Sequence, residues 1–190
     1  MRKKNVTTRN LNRYFCLRIA VSALLFLSIS LNIQAQPHKK VKWMKFTEAI
    51  EASKKEPRKI FVDIYASWCG WCKVLDNTTF ADSAIVKILN TEYYPVKIDS
   101  ESKEALKFKG YDLTYAELAV ILGADRGSNL GLPTMVFLNE DHDLLTRVPG
   151  YQKAEAMKPI LLYFSENHYK NQQWDEYHRQ YTEKQNTKKK

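Results

Sequence analysis

Residues 61–73 read Phe61-Val62-Asp63-Ile64-Tyr65-Ala66-Ser67-Trp68-Cys69-Gly70-Trp71-Cys72-Lys73. Preceded by Lys59 and Ile60, the first half is a near-continuous apolar run rich in β-branched and aromatic residues. Such a run is expected of a strand buried on both faces in the middle of a mixed sheet. The second half sets Cys69 and Cys72 at the start of an expected helix. Unpaired backbone N–H groups and the helix dipole stabilise negative charge at that end. A thiol there is expected to ionise toward about pH 7 instead of about 8.5. Cys72 lies one turn further in, on the same face and more covered. Residues at this spacing have β-carbons about 5–6 Å apart, and a disulfide needs about 3.5–4.5 Å. A small adjustment therefore interconverts dithiol and disulfide. The closed ring is so short that it stabilises by only about 2 kcal/mol, which makes it a weak staple and a good switch.

Other uses of two cysteines compete with this reading. Structural zinc needs four ligands, and His38, His142, His168 and His178 show no ligand spacing. Covalent haem attachment needs His after the second cysteine, where Lys73 stands. A static structural disulfide stays open. No metal and no cofactor are expected.

The 190-residue length favours one domain with extensions. Residues 1–35 carry six basic groups and no acid. An apolar stretch from Ile19 to Leu31 follows the basic end, interrupted by Ser22, Ser28 and Ser30, and Ile33-Gln34-Ala35 comes after it. This order is expected of a secretory signal cut after Ala35. The stretch is about 13 residues, short of the roughly 20 of a membrane span. An uncleaved anchor is the alternative, and either way the remainder faces an extracytoplasmic, oxidising space. Loss of Cys16 with the signal leaves Cys69 and Cys72 as the only cysteines. Residues 36–169 hold 18 basic and 18 acidic groups, so the net charge of +9 sits at the ends and leaves no footprint for nucleic acid. Residues 170–190 are expected to be a basic polar tail that frays from the last helix. Trp174, Tyr177 and Tyr181 stand there at helical spacing, and a partner-docking stripe is the second reading of them.

Between these ends the pattern predicts a helix over Phe46, Ala49 and Ile50 with Thr47 as its cap, then the strand at 59–66. After the cysteine helix comes a helix opened by Asp82-Ser83, with Ile85, Val86 and Leu89 inward. A strand over Tyr93 to Ile98 follows, then a short helix from Glu101 to Phe108 stopped at Gly110. Thr114 and Glu117 form a capping box for a helix to about Leu122. Thr134 to Leu138 and Leu144 to Val148 are expected strands joined by a polar turn. A closing helix runs from Ala154 to Asn167, with Pro159 starting or kinking it. The fold class is α/β, a mixed sheet with helices on both faces.

The 61–73 stretch resembles the active-site strand and helix of the thioredoxin superfamily. Gly131-Leu132-Pro133-Thr134-Met135-Val136-Phe137 resembles that family's second signature, a cis-proline loop before a strand. The likeness covers about 41–168. Thr78-Thr79-Phe80 is similar to thioredoxin-like domains such as the C-terminal periplasmic domain of the DsbD electron conductor. The resemblance implies a thioredoxin fold with four to five strands and a role for each matched residue. Cys69 would be the nucleophile, Cys72 the resolving thiol and Cys69–Cys72 the redox disulfide. Asp63 would be a buried acid that relays a proton, its pKa raised by burial. Pro133 would be the cis-proline, leaving the Leu132 backbone free to pair with substrate. Trp68, Gly70 and Trp71 would border the substrate, with core packing an equal reading for Trp68. Lys73 is expected to be solvated.

Two departures bear on direction and partners. Gly70-Trp71 replaces the Gly-Pro of the family's cytoplasmic members, and no His stands between the cysteines as it does in strong oxidants. A reducing site is therefore favoured. Stretch 110–131 is longer than in compact thioredoxins and is expected to form a helical insert near the cis-proline. The resulting expectation is an exported, periplasmic thiol–disulfide oxidoreductase, monomeric, acting on disulfide-containing proteins and recharged by a membrane thiol reductant. An oxidase or isomerase for folding proteins and a non-catalytic binding module are the alternatives.

Overall fold

The computed structural model of the chain describes residues 40–125 and 129–187. The expected signal, with Cys16 and the cut after Ala35, lies outside the described residues, as do residues 126–128 of the loop before Pro133.

Helix α1 spans Phe46–Lys55 and strand β1 Lys59–Tyr65. Helix α2 is Gly70–Asn77, followed by a 3-10 turn at Thr79–Ala81 and helix α3 at Ser83–Glu92. Strand β2 is Tyr93–Asp99, β3 Ala105–Phe108 and β4 Tyr111–Thr114. Helix α4 is Tyr115–Gly123, strand β5 Thr134–Leu138 and β6 Leu144–Pro149. Helix α5 is Ala154–Ser165, and after a 3-10 turn at His168–Lys170 comes α6 at Trp174–Thr187.

Four strands form one mixed sheet in the order β2-β1-β5-β6. β1 runs parallel to β2 and antiparallel to β5, and β5 runs antiparallel to β6. β1 is central, so both of its faces are covered, as its unbroken apolar run requires. Phe61, Met135 and Phe137 face a core closed by Leu75 of α2, Ile85, Val86 and Leu89 of α3, and Met157 and Leu161 of α5. Ile60, Val62, Ile64, Val136 and Leu138 face the opposite core, closed by Phe46 and Ala49 of α1 and by Leu118, Ala119 and Leu122 of α4. The sheet end where β1 leaves Tyr65 carries the cysteine helix.

Four expectations need correction. The short helix expected over Glu101–Phe108 is instead the first arm of a hairpin, β3–β4. Its two-residue loop, Lys109-Gly110, has positive φ at both positions, +49° and +87°, the backbone that a tight hairpin turn demands. Gly110 thus makes a strand turn and not a helix stop, and the extra length at 110–131 combines hairpin with helix. The α1 cap is Lys45, whose backbone N–H bonds the Glu48 carboxylate at 3.1 Å; Thr47 lies inside the helix. Of the two expected places for Pro159, the helix start is ruled out: it sits within α5, buried. Residues 174–187 are no frayed tail: α6 is a separate helix. Its Tyr177 is buried against the core, and Trp174 stands 5.3 Å from Tyr163 of α5, ring centre to ring centre. The Trp174-Tyr177-Tyr181 stripe is satisfied within the chain.

Candidate active site

β1 ends on Tyr65, and a turn closed by Cys69 N–H to the Ala66 carbonyl (3.1 Å) leads into α2. Cys69 is the N-cap. Its sulfur accepts from the Cys72 backbone N–H at 3.1 Å. A helix start presents free donors, and this one has placed a sulfur on them. Cys69 and Cys72 are joined as a disulfide, with an S–S distance of 2.04 Å and Cα atoms 5.3 Å apart. The two residues are 5% and 3% exposed, so Cys69 is hardly more open than Cys72. A side chain at Gly70 would meet nothing within 4 Å, so the position between the two cysteines on the helix faces open space.

The Leu132–Pro133 peptide bond is cis. Leu132 packs against the cluster of Ala66, Cys69 and Cys72, which brings the second expected signature onto the first across some sixty residues of sequence. Thr134 Oγ1 donates to the Gly131 carbonyl at 2.8 Å and steadies that loop. Trp68 and Trp71 are 67% and 61% exposed. Both stand next to a cysteine in sequence and present open aromatic surface, so core packing is not the use of Trp68. Lys73 is exposed, as expected.

Asp63 lies in the middle of β1, paired in register with Lys97 and Met135. It is 1% exposed. Its Oδ2 lies 3.3 Å from Lys97 Nζ, and its Oδ1 is buried with no hydrogen-bond partner among the described residues. Burial pushes its carboxyl from the ordinary 3.8 up to about 7. Lys97 opposes the shift and Asp76 adds to it. Desolvation wins because the ion pair is long and shared. Lys97 Nζ makes shorter bonds, 2.6 and 2.7 Å, to the Asp76 carboxylate on α2, and lies over the rings of Tyr65 and Trp43 at 4.7 and 5.4 Å. A cleft of about 450 Å³, lined by Trp43, Asp76, Phe80 and Lys97 among others, opens beside this group. Asp63 is therefore a covered acid whose ammonium partner borders a cleft.

Lys97 and Asp76 were not among the expected site residues. A lysine inside the apolar run 93–98, and an acid one turn beyond Cys72, were the signals available. Tyr151 was also missed: its ring centre stands 5.5 Å from that of Trp71. Among the described residues no group of three or more His, Cys, Asp or Glu is placed to hold a metal ion, and no helix is long and apolar enough to cross a membrane.

The family model "Thioredox_DsbH: Protein of unknown function, DUF255" matches residues 24–188. The chain belongs to the Thioredox_DsbH family. Among curated relatives of this Thioredox_DsbH chain are proteins named thiol:disulfide interchange protein DsbD. The one from Pseudoalteromonas atlantica is 26% identical over 114 residues, which cover 58% of this chain and 17% of that protein. The one from Pectobacterium atrosepticum is 30% identical over 119 residues, with the same two coverages. The chain thus spans less than a fifth of the length of these relatives. A thioredoxin-fold protein from Helicobacter pylori superposes with a TM-score of 0.55 at 14% identity, covering 63% of this chain and 76% of that one. The mixed sheet with helices around it is the thioredoxin fold, as the sequence resemblance implied, and the family is related to thiol–disulfide oxidoreductases.

Proposed function

We propose that this Thioredox_DsbH protein is an exported thiol–disulfide oxidoreductase that reduces or exchanges disulfides of other proteins. The observation that carries the reading is the Cys69–Cys72 disulfide at the N-terminus of α2, faced by the Leu132–Pro133 loop. In the reduced protein the Cys69 thiolate, held by the Cys72 N–H and the helix start, attacks one sulfur of a substrate disulfide. A Cys69–substrate disulfide forms and the other substrate sulfur leaves as thiolate. Cys72 gives its proton to the Asp63 carboxylate, and its thiolate attacks the Cys69 sulfur. The second substrate sulfur leaves and takes up a proton. The substrate gains two electrons and the protein returns to its disulfide form. An acid with a pKa near 7 is suited to a proton that must be both taken and released at neutral pH.

Trp68, Gly70 and Trp71 border the docked segment, and the backbone of Leu132 beside Pro133 offers it a strand-like partner. Reduction consumes the dithiol, so a membrane thiol reductant is the proposed donor. The proposed organisation is a signal at 1–35 and a periplasmic thioredoxin-like domain, acting as a monomer, which continues through α6. No cofactor, metal or nucleic acid enters the reading. Insulin reduction by dithiothreitol, with and without the protein, tests it. Acceleration by the native protein and none by Cys69→Ser is expected; equal rates for the two would overturn it.

A further inference from the structure

Trp71 leaves most of its ring in solvent one residue from Cys72, and a hydrogen-bonded scaffold holds a second ring against it. Gly150, at φ +78°, donates its N–H to the Pro133 carbonyl at 2.8 Å. The chain leaving β6 is thereby tied to the cis-proline loop. Tyr151 follows, its ring centre 5.5 Å from that of Trp71 with the planes 31° apart. Its hydroxyl lies 3.2 Å from Thr78 Oγ1. The Thr78 hydroxyl already donates to the Val74 carbonyl at 2.7 Å, so Tyr151 is the donor in that pair. The next residue is fixed as well, because fully buried Thr79 donates to the Gln152 carbonyl at 2.6 Å. Tyr151 is thus held by its neighbours on both sides and at its hydroxyl. Val74, one turn beyond Trp71 on the same helix, continues the apolar surface.

A tryptophan this exposed contributes little to folding. Through the Gly150–Pro133 bond, the Tyr151 end of the ring pair adjoins the loop on which the proposed substrate segment docks. We infer that Trp71 and Tyr151 form one aromatic ledge that selects substrates: disulfide-bearing segments with a large apolar or aromatic side chain beside the reacting cysteine. This rests on the oxidoreductase reading and deepens it. Tyr151 is a specificity residue, tied to the end of the redox helix by its hydroxyl bond to Thr78. Stacking of a third ring on the open side of Trp71 falls in the range of aromatic pairs, roughly a two- to tenfold preference.

The test uses the full chain, reduced beforehand, and follows Cys69–Cys72 oxidation by rapid alkylation. Two peptide disulfides that differ only in Trp or Ser beside the cysteine are compared with 2-hydroxyethyl disulfide. The native protein is expected to favour the Trp peptide about tenfold. In Tyr151→Ala that ratio should fall to about twofold or less, and in Tyr151→Phe, which keeps the ring, it should stay near native. A native protein without preference, or Tyr151→Ala with the full preference, would overturn the ledge while leaving exchange intact. Oxidation by none of the three disulfides would overturn the oxidoreductase reading and the ledge with it.

Discussion

Asp63 and Lys97 face each other across β1 and β2, carboxylate to ammonium at 3.3 Å, yet the acid holds its proton up to about pH 7. Burial is the main cause, and Lys97 does not offset it, because Asp76 takes the two shorter bonds of the same ammonium. Asp63 is left with a shared cation and one buried oxygen that has no hydrogen-bond partner among the described residues.

That arrangement sets the direction of a pH dependence. A carboxyl whose pKa is higher folded than unfolded keeps its proton in the native state after the unfolded chain has released it. Between about pH 4 and 7 the native state therefore binds more protons, and stability falls as pH rises; above about 7 the loss is complete. A shift from 3.8 to about 7 corresponds to about 4 kcal/mol as an upper figure. Asp63→Asn should flatten this slope and stabilise the disulfide form above pH 7 by about 2–4 kcal/mol. Urea unfolding at pH 5 and pH 8 checks it. A variant no more stable than the native protein at pH 8 would count against a buried, uncompensated charge.

The same acid should limit turnover. Asp63→Asn removes the proposed acceptor for the Cys72 proton, so disulfide reduction at pH 7 should slow by roughly ten- to a hundredfold, while Cys69 alkylation continues. Single-turnover rates for the two steps separate them. Equal resolution rates in variant and native protein would remove Asp63 from the mechanism.

Direction is read by equilibration with glutathione. With no His between the cysteines, the pair is expected to lie nearer about −270 mV than about −120 mV. A value at the oxidising end would assign the protein to disulfide formation.

Lys59 tests the other end of β1. It is 3% exposed at its side chain, bonds Glu140 at 2.8 Å and Asn167 at 2.9 Å, and lies over the Tyr169 ring. Glu140→Ala strands a buried ammonium and should cost about 2 kcal/mol, reduced from the usual loss because Glu140 is partly solvated. Lys59→Met removes the charge itself and should cost less. Denaturant midpoints of the two variants give the order, and the reverse order would contradict it.

What the sequence disclosed follows from which signals are local. β1 was legible because a strand covered on both faces needs no polar residue, which makes Asp63 conspicuous within it. The cysteine helix and the Pro133 loop were legible as motifs. Lys109-Gly110 was not, since a glycine after an apolar stretch serves a helix stop and a hairpin turn equally well, and only the positive φ of both residues separates them. The stripe Trp174-Tyr177-Tyr181 showed the face of a helix but not what covers it, which is Tyr163 and its neighbours on α5. Lys97, Asp76 and Tyr151 escaped for a shared reason. Their roles come from strand register and loop ties between residues tens of positions apart, which composition and periodicity do not carry.

The central claim is that Cys69 captures a substrate sulfur and Cys72 releases it. Mixing Cys72→Ser with oxidised insulin and reading intact mass after acid quenching tests it most directly. The account predicts a stable adduct through Cys69, removed by dithiothreitol and absent from Cys69→Ser. No adduct in Cys72→Ser, or the same adduct in Cys69→Ser, would contradict it.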